Sequence, residues 1–513
     1  MEPDRKYYEP FIKPLLHGQD STYKHTKLSG GHPTEYWSTY NKIFNDELLP
    51  KREPLESNDA RLRQNDTSLL FTGNLYRKYA DTKQTENAVQ YSTMIFNHMA
   101  QAAQANNMFH AFGLVRMLFW VPEDTMYRVH ATRLSERKGL NLPLELSVDT
   151  IKITGTDEIL THPKSRQSTG LPRPSRIEDK SSDRTVKEMH EHQIEIPADR
   201  QCEGHKSALE RRHMSITHGD SDARNPSLSE LDDAILFIGR ELDIIAKLTG
   251  TYKAMRVPLT KKKAYPTPYA LPKDMSPVLL QSHKNRAGPF VDLTFRQRQA
   301  EMDYALLAPT LKESDRECRK ESLLKTAAQL RTLMATVFEP LRRLAVSDYI
   351  EEMIGLEYNP PLIPHDRRPY ESLVARAQEF YPAQLLCLID AFPRSQNLAS
   401  DITSAVEGNQ VSRDLAKHLM AKSRNSLPEA LDRIAPNAAR DLIAATPILR
   451  DPLRGGRLDP KDLPVRMLTR DMFHALVVSF LEWPFRPSTA ELADTGEAQS
   501  DHVDEEDDDE PVE

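Results

Sequence analysis

Cysteine, glycine and long apolar runs are all scarce in this chain, and each scarcity removes a class of protein. Three cysteines in 513 residues, Cys202, Cys318 and Cys387, stand far apart with no Cys-x-x-Cys spacing. They form neither a disulfide framework nor a zinc site, and a reducing interior is the compartment they imply. Glycine numbers 18 against 36 prolines, and no glycine-rich loop is present to cradle a nucleotide-like cofactor. The apolar run around Trp120, Ala111 to Val121, is broken by Arg116 and is far shorter than the ~20 residues a membrane helix needs. The opening MEPDRKYYEP has two acids in its first four residues and no apolar stretch, so it reads as neither signal nor transit peptide but as the middle of a domain.

What the chain does have is length and charge. At 513 residues, with 39% hydrophobic and 28% charged residues, two or three domains with real cores are expected, together with some unstructured length. The formal charge of −8 is set by one segment, because Asp501 to Glu513 holds nine carboxylates and no Lys or Arg. The remainder is close to neutral, which neither requires nor excludes a local basic surface for nucleic acid.

Patterning divides the chain into four parts. Residues 1–158 alternate helical and strand signals: an amphipathic helix over Arg5 to Leu16, a strand over Thr67 to Thr72 (TSLLFT), a long helix from Ala88 to Phe109, the apolar run to Val121, and an alternating strand over Val148 to Thr154. Strand, helix and strand in that order predict parallel strands with covering helices, an α/β fold. In residues 159–226 apolar residues thin out and charges of both signs mix with proline and serine, the composition of a disordered insertion. His190 and His192 lie there without carboxylate or thiolate partners and read as solvated rather than metal-ligating. Residues 227–488 read as a mostly helical domain, opened by a Ser227/Glu230 capping box ahead of a 3,4-spaced stripe from Leu228 to Ile245, and continued by helical patterns from Phe295 to Leu356 and from Asp414 to Ala445. Residues 489–513 are an acidic, solvated tail that should aid solubility rather than bind phosphates.

Few positions carry chemistry. Thr72, Gly73 and Asn74 end the TSLLFT strand, where parallel α/β sheets bind ligands, although the same residues also simply turn a chain. Lys261, Lys262 and Lys263 form a basic run that either touches phosphate or is a solvated patch. Arg116, inside an apolar strand, requires a partner, and both an internal ion pair and a nucleic-acid contact are open to it. RRPYESL (Arg367 to Leu373), EFYPAQLLCLIDAFP (Glu379 to Pro393) and LEWPFRPS (Leu481 to Ser488) read as core and turn elements without a nucleophile or a partnered general base.

Taken in order, EPDRKYYEPFIKPLL, SLLFTGNL, FHAFGLVRMLFWV, RRPYESL with EFYPAQLLCLID, and LEWPFRPS resemble the fungal mitochondrial transcription factor branch of the ribosomal RNA adenine dimethyltransferase family. The resemblance runs from Met1 to Ser488 apart from the linker. It implies a Rossmann-like S-adenosylmethionine-dependent methyltransferase fold, here lacking its N-terminal strand and Gly-rich loop, followed by a mostly α-helical C-terminal domain. Members either dimethylate adjacent adenines of small-subunit rRNA or help a single-subunit mitochondrial RNA polymerase recognise and melt promoters.

Two departures bear on that choice. Met1 falls where the family's second strand would just have ended, so Glu2 matches the carboxylate that binds the cofactor ribose, but the glycine-rich loop has no counterpart. Active enzymes also carry Asn-Leu-Pro-aromatic, in which the Asn amide orients the target amine and the ring stacks on the flipped base. Here the stretch is Asn74, Leu75, Tyr76, Arg77. The expectation is a monomeric, mitochondrial, noncatalytic initiation factor that requires no cofactor and engages no membrane. Its partners would be the mitochondrial RNA polymerase and promoter DNA or rRNA, with Arg77, Lys78, Arg116 and Lys261 to Lys263 as nucleic-acid contacts. The alternative is an rRNA adenine N6-methyltransferase using S-adenosylmethionine, with Glu2 and the vestigial Asn74 at its site.

Overall fold

The computed structural model describes residues 8–17, 55–56, 59–76, 85–104, 106–156, 173, 175–215, 226–250, 277–336, 349–380, 383–394, 405–488 and 491–492. It separates into two compact units, each assembled from separate stretches of chain. The first comprises Met1–Val129, Leu144–Gly155 and Ala377–Asn409; the second comprises His130–Pro143, Thr156–Arg376 and Gln410–Glu513.

The first unit is built on a mixed sheet. Strand β1 (Asn65–Asn74) pairs in parallel with β2 (Leu114–Pro122), and helix α1 (Thr85–Gln104) lies between them in sequence, giving the expected strand–helix–strand unit. Strand β3 (Val148–Gly155) runs in the same direction as β2 but is not its neighbour. Between them lies β4 (Leu386–Pro393), antiparallel to both, so these four strands are ordered β1-β2-β4-β3. Here the expectation is corrected: the LCLIDAFP stretch, read as core and turn punctuation of a helical C-terminal domain, is an interior strand of the sheet. Its apolar run of eight residues suits a strand or a buried helical turn equally, and only pairing to β2 and β3 decides.

One face of the sheet makes the core. Met117, Phe119 and Val121 of β2, with Cys387, Ile389 and Ala391 of β4, are fully buried in one core with Ile95, Phe96 and Met99 of α1 and Met126 and Val129 of α2 (Glu123–Val129). Phe71 stacks on Phe109 with centroids 4.3 Å apart and meets Phe119 edge-on at 5.7 Å, geometries that aromatic quadrupoles favour. The chain enters β2 through Gly113 at φ +124, where a Cβ would sit 3.3 Å from the carbonyls of Arg61 and Gln64. Only glycine fits that turn. His110, wholly buried just before it, accepts from the Val115 N–H through Nδ1 at 3.1 Å, and burial pushes its pKa down to about 3.

In the second unit, α3 (Ser175–Glu191) and α4 (Glu203–Ser215) occupy much of the segment expected to be disordered. The correction has a physical reason: α3 is tied to the rest of the unit through buried charge as well as apolar contact, so its composition imitates a solvated linker. Ile177, Val186, Met189 and Ala208 are their buried apolar residues. Around them, Arg173 forks onto Asp366 with two bonds of 2.7 Å and reaches Glu352 at 2.9 Å. Arg368 forks onto Glu371 at 2.7 and 3.1 Å and also donates to Ser181 and Ser182 of α3. His365 meets Glu178 at 3.0 Å. Burial acts to raise the Glu178 carboxyl, but His365, Arg368 and Arg173 together hold it well below the usual carboxylate range. Glu371 is likewise held low, Arg368 outweighing its burial, whereas burial leaves Glu352 raised. The Arg367 to Leu373 stretch thus supplies Arg368 and Glu371 to this ionic cluster.

The remaining helices follow the sequence pattern closely. Helix α5 (Leu228–Gly250) starts at the expected capping box, with the Ser227 N–H donating to Glu230 at 3.0 Å and the Glu230 N–H to Ser227 Oγ at 3.3 Å. Its Leu231, Ile238 and Leu242 pack with Phe290, Leu293 and Tyr304 of α6 (Pro277–Leu307) and with Leu323 and Leu330 of α7 (Glu313–Met334). Later come α8 (Glu351–Glu357), α9 (Ala405–Ala421), α10 (Leu427–Asp432), α11 (Ala438–Ala445) and α12 (Arg470–Glu482). The described part of the N-terminal helical segment is helical, Tyr8–Ile12 running into Lys13–Leu16. Among the described residues no helix is long and apolar enough to cross a membrane.

Candidate functional site at the carboxyl ends of two parallel strands

Because β1 and β2 are parallel, their carboxyl ends fall side by side, and Asn74 is paired in register with Trp120. The Leu75 N–H donates to the Trp120 carbonyl at 2.9 Å and carries the pairing one residue beyond the strand. Asn74 is exposed, and Trp120 is half-buried on the sheet face opposite α1. Phe380 meets Trp120 edge-on, with centroids 5.1 Å apart. An amide and two aromatic rings are thereby gathered at the strand ends, a set suited to holding a planar, polar group.

The asparagine itself is engaged. Its Oδ1 accepts from the Tyr76 N–H at 2.9 Å, closing a turn over Leu75. In the Asn-Leu-Pro-aromatic arrangement the residue two positions on is proline, which has no N–H to donate. Tyr76 supplies that donor, and one of the two lone pairs of the carboxamide oxygen is used to fix the backbone. This is the turn reading of the strand-end tripeptide, realised in hydrogen bonds.

Arg116 takes the ion-pair reading. On the face opposite α1 its guanidinium forks onto the Asp390 carboxylate, with Nε 2.8 Å from Oδ1 and Nη2 on Oδ2, and lies 4.5 Å above the Phe392 ring. Asp390 is 1% exposed, whereas the arginine side chain is 47% exposed. The arginine therefore neutralises a buried carboxylate on β4 and still reaches the surface. Of the other sequence-derived positions, Glu2, Arg77, Lys78, Lys261, Lys262 and Lys263 lie outside the described residues. Among the described residues no group of His, Cys, Asp and Glu has the geometry of a metal site.

Glu2, the residue that the resemblance places on the ribose of S-adenosylmethionine, lies outside the described residues. The Trp120–Phe380 pair was missed from sequence because the two residues are 260 positions apart, and only the insertion of β4 beside β2 brings Glu379 to Pro393 to this edge. No protein-family model matches the chain, and no curated protein or solved structure shows significant similarity to it.

Proposed function

We propose that the chain is a noncatalytic mitochondrial transcription initiation factor built on a Rossmann-like methyltransferase scaffold, helping a single-subunit RNA polymerase to recognise and open promoters. The observation that carries this reading is the Asn74 Oδ1 to Tyr76 N–H bond. It turns the residue that would orient an adenine amine into a structural cap, while the strand–helix–strand unit around it is retained. The mixed α/β sheet of the first unit is compatible with such a scaffold, its reversed strand lying in the interior and not at an edge. The aromatic pair Trp120 and Phe380 offers stacking surface of the type that single-stranded nucleic acid uses. Promoter-specific run-off transcription with the cognate polymerase tests the reading. Transcripts that depend on added protein, with no tritium transferred from S-adenosylmethionine to small-subunit rRNA, are expected. Promoter-specific transcription that is unchanged when the protein is omitted would overturn it.

A further inference from the structure

We propose that the ionic cluster around α3 is a proton-operated latch, which holds the helix while His365 and Glu352 carry protons and lets it open as those protons leave. The cluster's permanent charges do not balance. Four carboxylates, Glu178, Glu352, Asp366 and Glu371, face two guanidiniums, Arg173 and Arg368. Glu352, Asp366 and Glu371 are at most 4% exposed, so water does little to screen the excess.

The elements around the cluster add little positive charge. His365 Nε2 lies 3.0 and 3.3 Å from the two Glu178 oxygens, and a proton on this ring makes it the third cation. His205 of α4 feels Glu371, but burial pushes its imidazole down and keeps it neutral. Cys202, just before α4, donates its thiol to Glu371 at 3.9 Å and brings no positive charge. His130 meets His365 edge-on with centroids 6.4 Å apart, and the Leu134 N–H donates to Glu352 at 3.1 Å. Arg133 is engaged with Glu136, Arg211 with Asp179 and Asp183 of α3, and Glu351 of α8 turns to Arg466.

With His365 charged the cluster is still one negative charge in excess, and Glu352 is the carboxyl placed to take up the second proton. Burial holds it raised, although Arg173 and the Leu134 N–H act to lower it. A carboxyl raised in the fold contributes stability below its ordinary range and loses that contribution as pH rises through the raised value. The latch is therefore engaged in mild acid and loosens toward alkaline pH. Glu178, Ser181 and Ser182 tie α3 directly into the cluster, through His365, Asp366 and Arg368 respectively, so the loosening is felt first in that helix.

The latch is independent of the initiation-factor reading and is tested on the full chain alone, by hydrogen–deuterium exchange from pH 5 to 8 corrected for the intrinsic pH dependence of exchange. Each proton lost on opening changes the opening equilibrium by at most about tenfold per pH unit. Opening of α3 in wild type is expected to increase about 10- to 100-fold over that range, and opening of α5, which takes no part in the cluster, by less than about threefold. Glu352→Gln removes the titration while keeping an oxygen for the Leu134 N–H, and should cut the α3 increase to below about threefold. His365→Gln keeps a donor for Glu178 without the charge, and should open α3 about tenfold more than wild type already at pH 5. His192→Gln, just beyond α3 and exposed, should leave the profile unchanged. Protection of α3 that is flat from pH 5 to 8, or that falls in step with α5, would overturn the latch. So would wild-type slope in a folded Glu352→Gln protein; if thermal melts show that a variant has lost its fold, the wild-type profiles of α3 and α5 decide alone.

Discussion

Replacing Arg368 by methionine tests whether the second unit is held by its ionic cluster. Arg368 is 5% exposed and spends its guanidinium on two bonds to Glu371, one each to Ser181 and Ser182, and one to the His365 carbonyl. Methionine keeps most of the apolar stem but leaves the Glu371 carboxylate, 4% exposed, without its counter-ion. Removing one partner of a buried pair costs about 3 to 5 kcal/mol, because the stranded charge keeps its desolvation penalty. At about 2 °C per kcal/mol for a unit of this size, the melting temperature should fall by roughly 6 to 10 °C. Differential scanning calorimetry at pH 7 measures it. Adding Glu371→Leu should recover at least half of the loss, since it removes the orphaned carboxylate. The deficit of the single variant should also shrink below about pH 5, where Glu371 can be protonated. A fall of less than about 2 °C, or a double variant less stable than the single, would refute the view that this charge organises α3.

Four further expectations follow from the same structure. His110 is neutral in the fold with a pKa of about 3, against an unfolded value near 6.5, so its contribution is intact above pH 6.5 and is lost as pH falls toward 3, by about 1.4 kcal/mol per pH unit; His110→Asn should flatten that part of a stability–pH curve measured by urea unfolding. Glu178 and Glu371, both held low, contribute stability above the ordinary carboxyl range and lose it on acidification below about pH 4, so thermal melts should drop steeply there, and less so in Glu178→Gln. Arg116→Met should destabilise the first unit by about 2 kcal/mol by stranding Asp390, and Asp390→Asn by less, both read from chemical denaturation followed by tryptophan fluorescence. Asn74→Ala should cost about 1 kcal/mol through the lost turn and leave run-off transcription within twofold of wild type.

How much was legible in the sequence depended on which force held each element. Hydrophobic periodicity marked α1, β2, β3 and α5, and the Ser227/Glu230 box placed the start of α5, because local capping chemistry and an apolar face are written in consecutive residues. The ionic cluster was not legible. Arg173, Glu178, Asp366 and Arg368 are nearly 200 positions apart at their extremes, and a charge that is buried against a distant counter-ion has the composition of one that is solvated. Strand β4 was hidden for a related reason, since a short apolar run acquires its identity only from the strands beside it. At the candidate site, the departure from Asn-Leu-Pro-aromatic was visible in the sequence, but its consequence, a backbone N–H at Tyr76 that captures the asparagine oxygen, required the coordinates.

The central claim is that a methyltransferase-like scaffold has given up methyl transfer for a role at promoters. A paired assay on one preparation addresses it most directly: promoter-specific run-off transcription with the cognate polymerase, beside tritium transfer from S-adenosylmethionine to small-subunit rRNA, each with wild type and Tyr76→Pro. The expected result is transcription that requires the protein, with methyl transfer at background in both wild type and Tyr76→Pro. Methyl transfer by wild type above background, with transcription indifferent to the protein, would contradict it.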